Sequence, residues 1–283
     1  MDMDIDDGVL LPYTYLKNNT SGKGFRNKLL DYFNLFYKVD NNKLEIIKEF
    51  IDILHTSSLI IDDIEDNGEF RRGKLCAHKI YGIGSTINAG NLMYFKAWEL
   101  LMKLESDNNN NNNNGNELNK IFVNSMIKLH IGQGKEIYWR NNKICPSEEE
   151  YLEMVIGKTS ELFKLCVLIL SCISDDDTRD KDNIDEKLIK FSEKLGIIYQ
   201  IRNDIKDIRD DYKNGNYSYP IIYCIREKCM KMESNDKEIE DKIRELGGIR
   251  HSEEKIISLM GEKGSREFEN ENKFENDFFQ LLM

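Results

Sequence analysis

The chain has 283 residues, with 40 Lys and Arg against 51 Asp and Glu, a formal net charge of −11. That balance argues against a non-specific nucleic-acid binder, which needs surplus cations to displace counterions from phosphates. On first reading it also argues against any polyanionic ligand, an inference that the placement of the charges reverses below. Apolar residues make up 40% of the chain, enough for a core, yet no run approaches the roughly 18 apolar residues of a membrane span. The acidic start, Met1 to Asp7, lacks the apolar segment of a secretory signal. The six cysteines (76, 145, 166, 172, 224 and 229) form no C-x-x-C pair. They read as reduced, helix-packing thiols of a cytoplasmic protein.

Prolines occur only at 12, 146 and 220, which leaves long intervals without the residue that most reliably ends a helix. The pattern predicts an all-α fold, a single large helical bundle, with residues 1–283 forming one domain. In chain order, Gly22-Lys23-Gly24-Phe25-Arg26 reads as a helix start, where backbone N–H groups favour anions. Leu44, Ile47, Ile51, Leu54, Ser58 and Ile61 mark the buried stripe of the next helix. The tract Asn108–Asn114 carries no apolar side chain and predicts a disordered loop near 106–116. After Pro146, Ser147 and Glu150 make a capping box that opens a buried helix over 151–173, with Lys158-Thr159 in its middle. Residues 174–185 read as an exposed loop, and beyond Tyr223 the chain turns to Lys/Glu-rich helices with sparser apolar stripes.

The most informative stretch is Leu54 to Asn67, where an apolar helix runs into Asp62-Asp63-Ile64-Glu65-Asp66. Asp62 and Asp66 are four apart, one turn along one helix face, where like charges repel. Carboxylates gathered beside a core call for a cation, and an all-oxygen set selects Mg²⁺ or Ca²⁺. Mg²⁺ commonly bridges one or two carboxylates to substrate phosphates. A second cluster follows at Asn203-Asp204-Ile205-Lys206-Asp207, again with an i, i+4 pair. Two helices so equipped could face each other across a cavity and hold several Mg²⁺ ions around a diphosphate. Arg71-Arg72 follows the first acidic run, and guanidinium groups grip phosphate oxygens bidentately. Lys158 lies within an apolar segment, where an ammonium is costly without an anionic partner.

With these residues in view, the chain resembles the trans-prenyl diphosphate synthases, and most of all eukaryotic geranylgeranyl diphosphate synthases. The resemblance runs from about Leu10 to Ile225. It rests on Leu10-Leu11-Pro12-Tyr13, Gly22-Lys23 with Arg26, Leu54-His55, Asp62 to Asp66 and Arg71-Arg72-Gly73. Further on it includes His130 with Gly132-Gln133-Gly134, Tyr138-Trp139-Arg140, Lys158-Thr159 and Gln200. It implies a mostly helical fold around a deep central, apolar cavity of the isoprenoid synthase type, and Mg²⁺-dependent ionisation of an allylic diphosphate (dimethylallyl, geranyl or farnesyl) with attack by isopentenyl diphosphate in a homodimer or higher homo-oligomer. By the same resemblance Asp62 and Asp66 bind Mg²⁺ with Asp63 in support, and Asn203, Asp204 and Asp207 form the second metal set. Arg71, Lys158 and Gln200 contact the allylic diphosphate. Lys23, Arg26, His55 and Arg72 hold isopentenyl diphosphate, and Thr159 lines the site. Ser57 and Ser58, one turn before Asp62, leave the product channel open where bulky aromatics would close it, so the expected product is C20. Tyr94 and Phe95 are candidates for the channel floor, or ordinary helix-packing aromatics.

The chain departs from the family at its second motif, which begins Asn203-Asp204 instead of Asp-Asp. The loop after it is shortened, and Asn216 stands where a lysine is expected before Tyr217-Ser218-Tyr219-Pro220. Two other readings therefore stand beside the synthase: a non-catalytic or regulatory subunit, and a class I terpene synthase, whose metal motif begins Asn-Asp. The set Lys23, Arg26, His55 and Arg72 counts against a cyclase, which has no isopentenyl diphosphate to bind.

Overall fold

A computed structural model describes residues 8–19, 24–106, 114–174, 181–232 and 238–261. They form α-helices, one π-helical turn and one small hairpin, so the all-α expectation holds. The chain divides into two compact units, residues 1–126 with 162–189, and residues 127–161 with 190–283.

The first unit contains α1 (Leu11–Asn19), α2 (Phe25–Tyr37), α3 (Asn41–Glu65), a hairpin, α4 (Ala77–Tyr81), α5 (Ile83–Ser106) and α8 (Glu161–Ile173). It also takes the first parts of α6 (Asn114–Asn142) and α9 (Lys181–Lys206). α3 starts where Asp40 accepts the backbone N–H groups of Asn42 and Lys43, satisfying donors that a helix start leaves unpaired. Its buried face runs through Leu44, Ile47, Ile51, Leu54, Ser57, Ile60 and Asp63. Steps of three near its end fall short of the 3.6 period, so this face winds round the helix. The predicted stripe is thereby corrected at two positions: Ser57 is buried and Ser58 exposed, and Ile60 is buried where Ile61 is half-buried. α3 packs on α5, whose buried row is Ala89, Met93, Ala97, Leu101 and Leu104. Each large aliphatic side chain so buried contributes about 1.5–3 kcal/mol. Gly90 permits the close approach, since a Cβ there would stand 2.9 Å from Ile61 Cδ1. Phe95 lies two residues from both Met93 and Ala97, on the far side of α5, and is 64% exposed.

The hairpin pairs Phe70 with Leu75 and Arg71 with Lys74. Its turn residues, Arg72 (φ 52°) and Gly73 (φ 78°), are both left-handed, as a two-residue hairpin turn matching strand twist requires.

The second unit contains α7 (Glu148–Val155), the π turn (Ile156–Ser160), α10 (Ile208–Asn214), α11 (Tyr219–Lys228), α12 (Ile239–Glu245), α13 (Gly248–Gly261) and the later parts of α6 and α9. The capping box forms as expected, with Ser147 N–H donating to Glu150 Oε2 (2.7 Å) and Glu150 N–H to Ser147 Oγ (3.1 Å). One core cluster gathers Tyr151, Met154, Val155, Ile197, Ile201, Tyr219 and Ile222. A second joins Ile208, Tyr212, Ile221, Cys224, Ile243 and Ile249.

Two further expectations are corrected. The buried segment 151–173 is not one helix, because the π turn separates α7 from α8. Of the predicted loop 174–185, residues 181–185 belong to α9, and Asp185 accepts hydrogen bonds from Tyr37 Oη and from Ser171 Oγ (2.6 Å). Residues 175–180 lie outside the described residues. So do residues 107–113 of the asparagine tract, while α5 ends at Ser106 and α6 begins at Asn114. All six cysteines are free thiols, and among the described residues no helix is long and apolar enough to cross a membrane.

Candidate active site

The candidate residues fall into one set in each unit. In the first, the carboxylates close α3. Asn67 adopts a left-handed conformation (φ 50°). The N–H of Gly68 reaches back to Asp63 O (2.8 Å) and that of Asn67 to Ile64 O (3.0 Å), which is a Schellman ending. Asp62, Asp63 and Asp66 therefore sit in and just after the last turn, where the helix carries its own partial negative charge. Acids at that end raise the local negative potential instead of relieving it, and only a cation offsets them.

One cation comes from the chain. The hairpin folds Arg71 back so that Nε donates to Asp63 Oδ1 (2.6 Å) and an Nη to Asp62 Oδ2 (2.9 Å). Burial raises the Asp63 pKa against the opposing pull of Arg71. Cys76 hydrogen-bonds to the same carboxylate, and its thiol is pushed up to about 12 by burial and by the Asp63 charge. Asp62 and Asp66 remain partly exposed. Arg26, in the first turn of α2, lies over the Phe163 ring with its guanidinium carbon 5.8 Å from the ring centroid. His55 on α3 is held well below the ordinary imidazole pKa by burial and then by Arg26, Arg72 and Arg71. It is thus neutral near pH 7 and surrounded by cations, a setting that suits an anionic ligand. Arg72 is exposed at the hairpin tip. Lys23 lies outside the described residues.

In the second unit, Lys158 and Thr159 sit on the π turn. The Lys158 ammonium pairs with Glu136 of α6, which answers the sequence-based demand for an anionic partner. Thr159 Oγ1 donates to Gln200 Oε1 (2.9 Å), and Gln200 Nε2 donates to Asp204 Oδ1 (2.9 Å). Asp204 is buried and engaged on both oxygens. Its Oδ2 also accepts from Tyr151 Oη (2.5 Å) and from the backbone N–H of Tyr219 (2.7 Å). That second bond supplies the N-terminal cap of α11, where Ser218 makes none with its own side chain. Burial raises the Asp204 pKa despite these donors. Asn203 and Asp207 stay one turn apart, with Asp207 N–H bonded to Asn203 O (2.9 Å), and Asp211 continues the same turn (2.9 Å to Asp207 O). Asp211 is pushed well up by burial and then by Asp204. Asn216 accepts from Arg140 Nη1 (3.1 Å) and donates to Asp211 (3.4 Å), so it links a cation to this acidic group.

The family model for polyprenyl synthetases matches residues 9–255. The chain belongs to this family. It is 36% identical to a geranylgeranyl pyrophosphate synthase of Dictyostelium discoideum, over 93% of this chain and 83% of that protein. It is also 36% identical to one of Apiospora sacchari, over 85% and 74% respectively. A terpene synthase of Matsumurasca onukii is 36% identical over 91% of this chain and 87% of its own length.

The donor chemistry of this family member fits Mg²⁺. Asp62, Asp66, Asn203 and Asp207 offer oxygen only, which favours a hard cation. Among the described residues, no three His, Cys, Asp or Glu side chains are gathered to hold an ion. Mg²⁺ commonly takes one or two carboxylates and completes its shell with waters and substrate phosphates. Sequence reasoning missed Glu136, Tyr151 and the role of Tyr219. Glu136 stands four residues after Gly132, inside the stretch that carries the resemblance, and its helical spacing was the available signal. Tyr151 gave none.

Proposed function

We propose that the chain is a prenyltransferase that condenses isopentenyl diphosphate with an allylic diphosphate, dimethylallyl, geranyl or farnesyl, and makes geranylgeranyl diphosphate. The observation that carries this reading is the cluster closing α3, Asp62, Asp63 and Asp66 at the negative end of the helix with Arg71 folded onto them. The family membership and the two geranylgeranyl pyrophosphate synthase relatives support it.

Asp62 and Asp66, with Asn203 and Asp207, would hold Mg²⁺, which when bound supplies positive charge to a departing diphosphate. Asp204, named with them from the sequence, accepts three hydrogen bonds and keeps one lone-pair site of its carboxylate with which it would join the metal set. It also fixes Gln200 and the start of α11. Arg71, Lys158 and Gln200 would bind the allylic diphosphate, with Thr159 orienting Gln200. Lys23, Arg26, His55 and Arg72 would hold isopentenyl diphosphate. The allylic C–O bond breaks with its electron pair leaving on diphosphate. The isopentenyl double bond then attacks the allylic carbon, and loss of a proton completes the new prenyl chain. Fixed cations stabilise the leaving group as its charge develops.

Ser57 and Ser58 would set chain length by their small size. Residues 1–283 would act as one domain in the cytoplasm. A homodimer would cover the exposed apolar row of α6, Val123, Ile127, Ile131 and Tyr138, which recurs at helical spacing.

The terpene synthase relative and Asn203 favour a cyclase as the second reading. Incubation with Mg²⁺, isopentenyl diphosphate and each allylic primer separates the two. Elongated diphosphates are expected. A folded chain that elongates no primer yet converts geranylgeranyl diphosphate alone to a hydrocarbon would establish the cyclase.

A further inference from the structure

π-Helical turns are rare, well under 1% of residues, and frequent at functional sites. Here one carries Lys158 and Thr159 in a segment whose sequence predicts an uninterrupted α-helix. Two neighbouring helices meet this turn through glycine. A Cβ at Gly132 of α6 would lie 2.5 Å from Lys158 N and 2.9 Å from Gly157 C. A Cβ at Gly196 of α9 would lie 2.0 Å from Ser160 Oγ and 2.6 Å from Ser160 Cα. Lys158 N, Gly157 C and Ser160 Cα are backbone atoms, so they cannot swing aside as a side chain would.

The same two helices then repeat one pattern. One turn after Gly132, Glu136 takes the Lys158 ammonium, and one turn after Gly196, Gln200 takes the Thr159 hydroxyl. Each helix touches the turn's backbone with a glycine and catches its side chain with the residue four positions on. Ser160 Oγ, bonded to Glu193 O (3.0 Å), adds a third tie.

We propose that Gly132 and Gly196 are positioning residues, whose missing side chains keep α6 and α9 against the π turn and so hold Lys158 and Thr159 in place for the allylic diphosphate. This rests on the reading of Lys158 as a diphosphate-binding cation. Removing the extra residue of the turn would rotate everything after it by about 100°, one residue of helix. Misplacement by about 1 Å can cost on the order of a hundredfold in rate.

The test uses the full chain with Gly132→Ala, Gly196→Ala, Lys158→Ala and the double variant Gly132→Ala/Lys158→Ala. Folding is checked by circular dichroism, and binding of inorganic pyrophosphate with Mg²⁺ by calorimetry. The kinetic readouts are kcat and the separate KM values for the allylic and isopentenyl substrates. The expected result for each glycine variant is weakened pyrophosphate binding and a loss of about tenfold or more in kcat/KM for the allylic substrate. The KM for isopentenyl diphosphate stays within about twofold, and Gly132→Ala costs little more once Lys158 is gone, since residues acting as a unit are non-additive. If Gly132→Ala fails to fold, Gly157→Ala is the milder substitution. Its Cβ would meet Lys128 O at 3.3 Å, and a smaller loss in the same direction is expected. Folded glycine variants with wild-type kinetics, or losses that multiply fully with Lys158→Ala, would overturn the positioning role while leaving Lys158 as a ligand. Wild-type binding and kinetics in Lys158→Ala would overturn both.

Discussion

Asp204 and Asn203 are adjacent and differently placed. Asp204 is buried, with both oxygens accepting from Tyr151, Gln200 and the Tyr219 N–H. Asn203 is partly exposed beside it, one helical turn from Asp207. A carboxylate at 203 would strengthen a Mg²⁺ site by a full charge, and would add repulsion toward Asp204, Asp207 and Asp211 when no metal is bound. Asn203→Asp should therefore lower the Mg²⁺ concentration needed for half-maximal activity, read from a Mg²⁺ titration of the rate. An unchanged midpoint would remove Asn203 from the metal ligands. The i, i+4 spacing made both acidic clusters legible in the sequence. The full engagement of Asp204 was not, because besides Gln200, one turn back, its partners are 53 residues before it and 15 after it, joined only by the fold.

Helix starts were more legible than helix interiors. The capping box at Ser147 and Glu150 is a local pattern whose hydrogen bonds lie within four residues, and it forms as read. Ser147→Ala should cost about 0.5–2 kcal/mol of unfolding free energy, measured by urea denaturation, with Glu150→Ala acting in the same direction. Equal midpoints for Ser147→Ala and wild type would mean that water caps α7 equally well. The π turn was illegible for the converse reason. Residues 151–173 carry no signal for it, and the glycines that meet it most closely, Gly132 and Gly196, stand on two other helices. The winding of the α3 face, which buries Ser57 in place of Ser58, likewise depends on the elements that α3 meets.

For the whole molecule, the net charge of −11 says less than where the charges stand. His55 shows this in stability. Its folded pKa is depressed, first by burial and then by Arg26, Arg72 and Arg71, while unfolded histidine titrates near about 6.5. Below that pH the unfolded chain takes up a proton that the folded chain refuses. The stability this group contributes is present above pH ~6.5 and is lost as the pH falls, by up to about 1.4 kcal/mol per unit. Urea midpoints at pH 7.5 and 5.5 should thus converge more closely in His55→Gln than in wild type. Equal acid sensitivity in both would show that His55 is protonated in the folded state.

The acidic surplus matters where it closes α3, and that end of the helix is where function is tested most directly. Labelled isopentenyl diphosphate and farnesyl diphosphate, supplied with Mg²⁺, report product length and pyrophosphate release together. The wild-type chain should yield C20 geranylgeranyl diphosphate with one pyrophosphate released per isopentenyl unit consumed. Asp62→Asn, folded to the same degree, should be slower by about a hundredfold or more. Condensation at the wild-type rate in Asp62→Asn, or none in the wild-type chain with this primer or a shorter one, would contradict it.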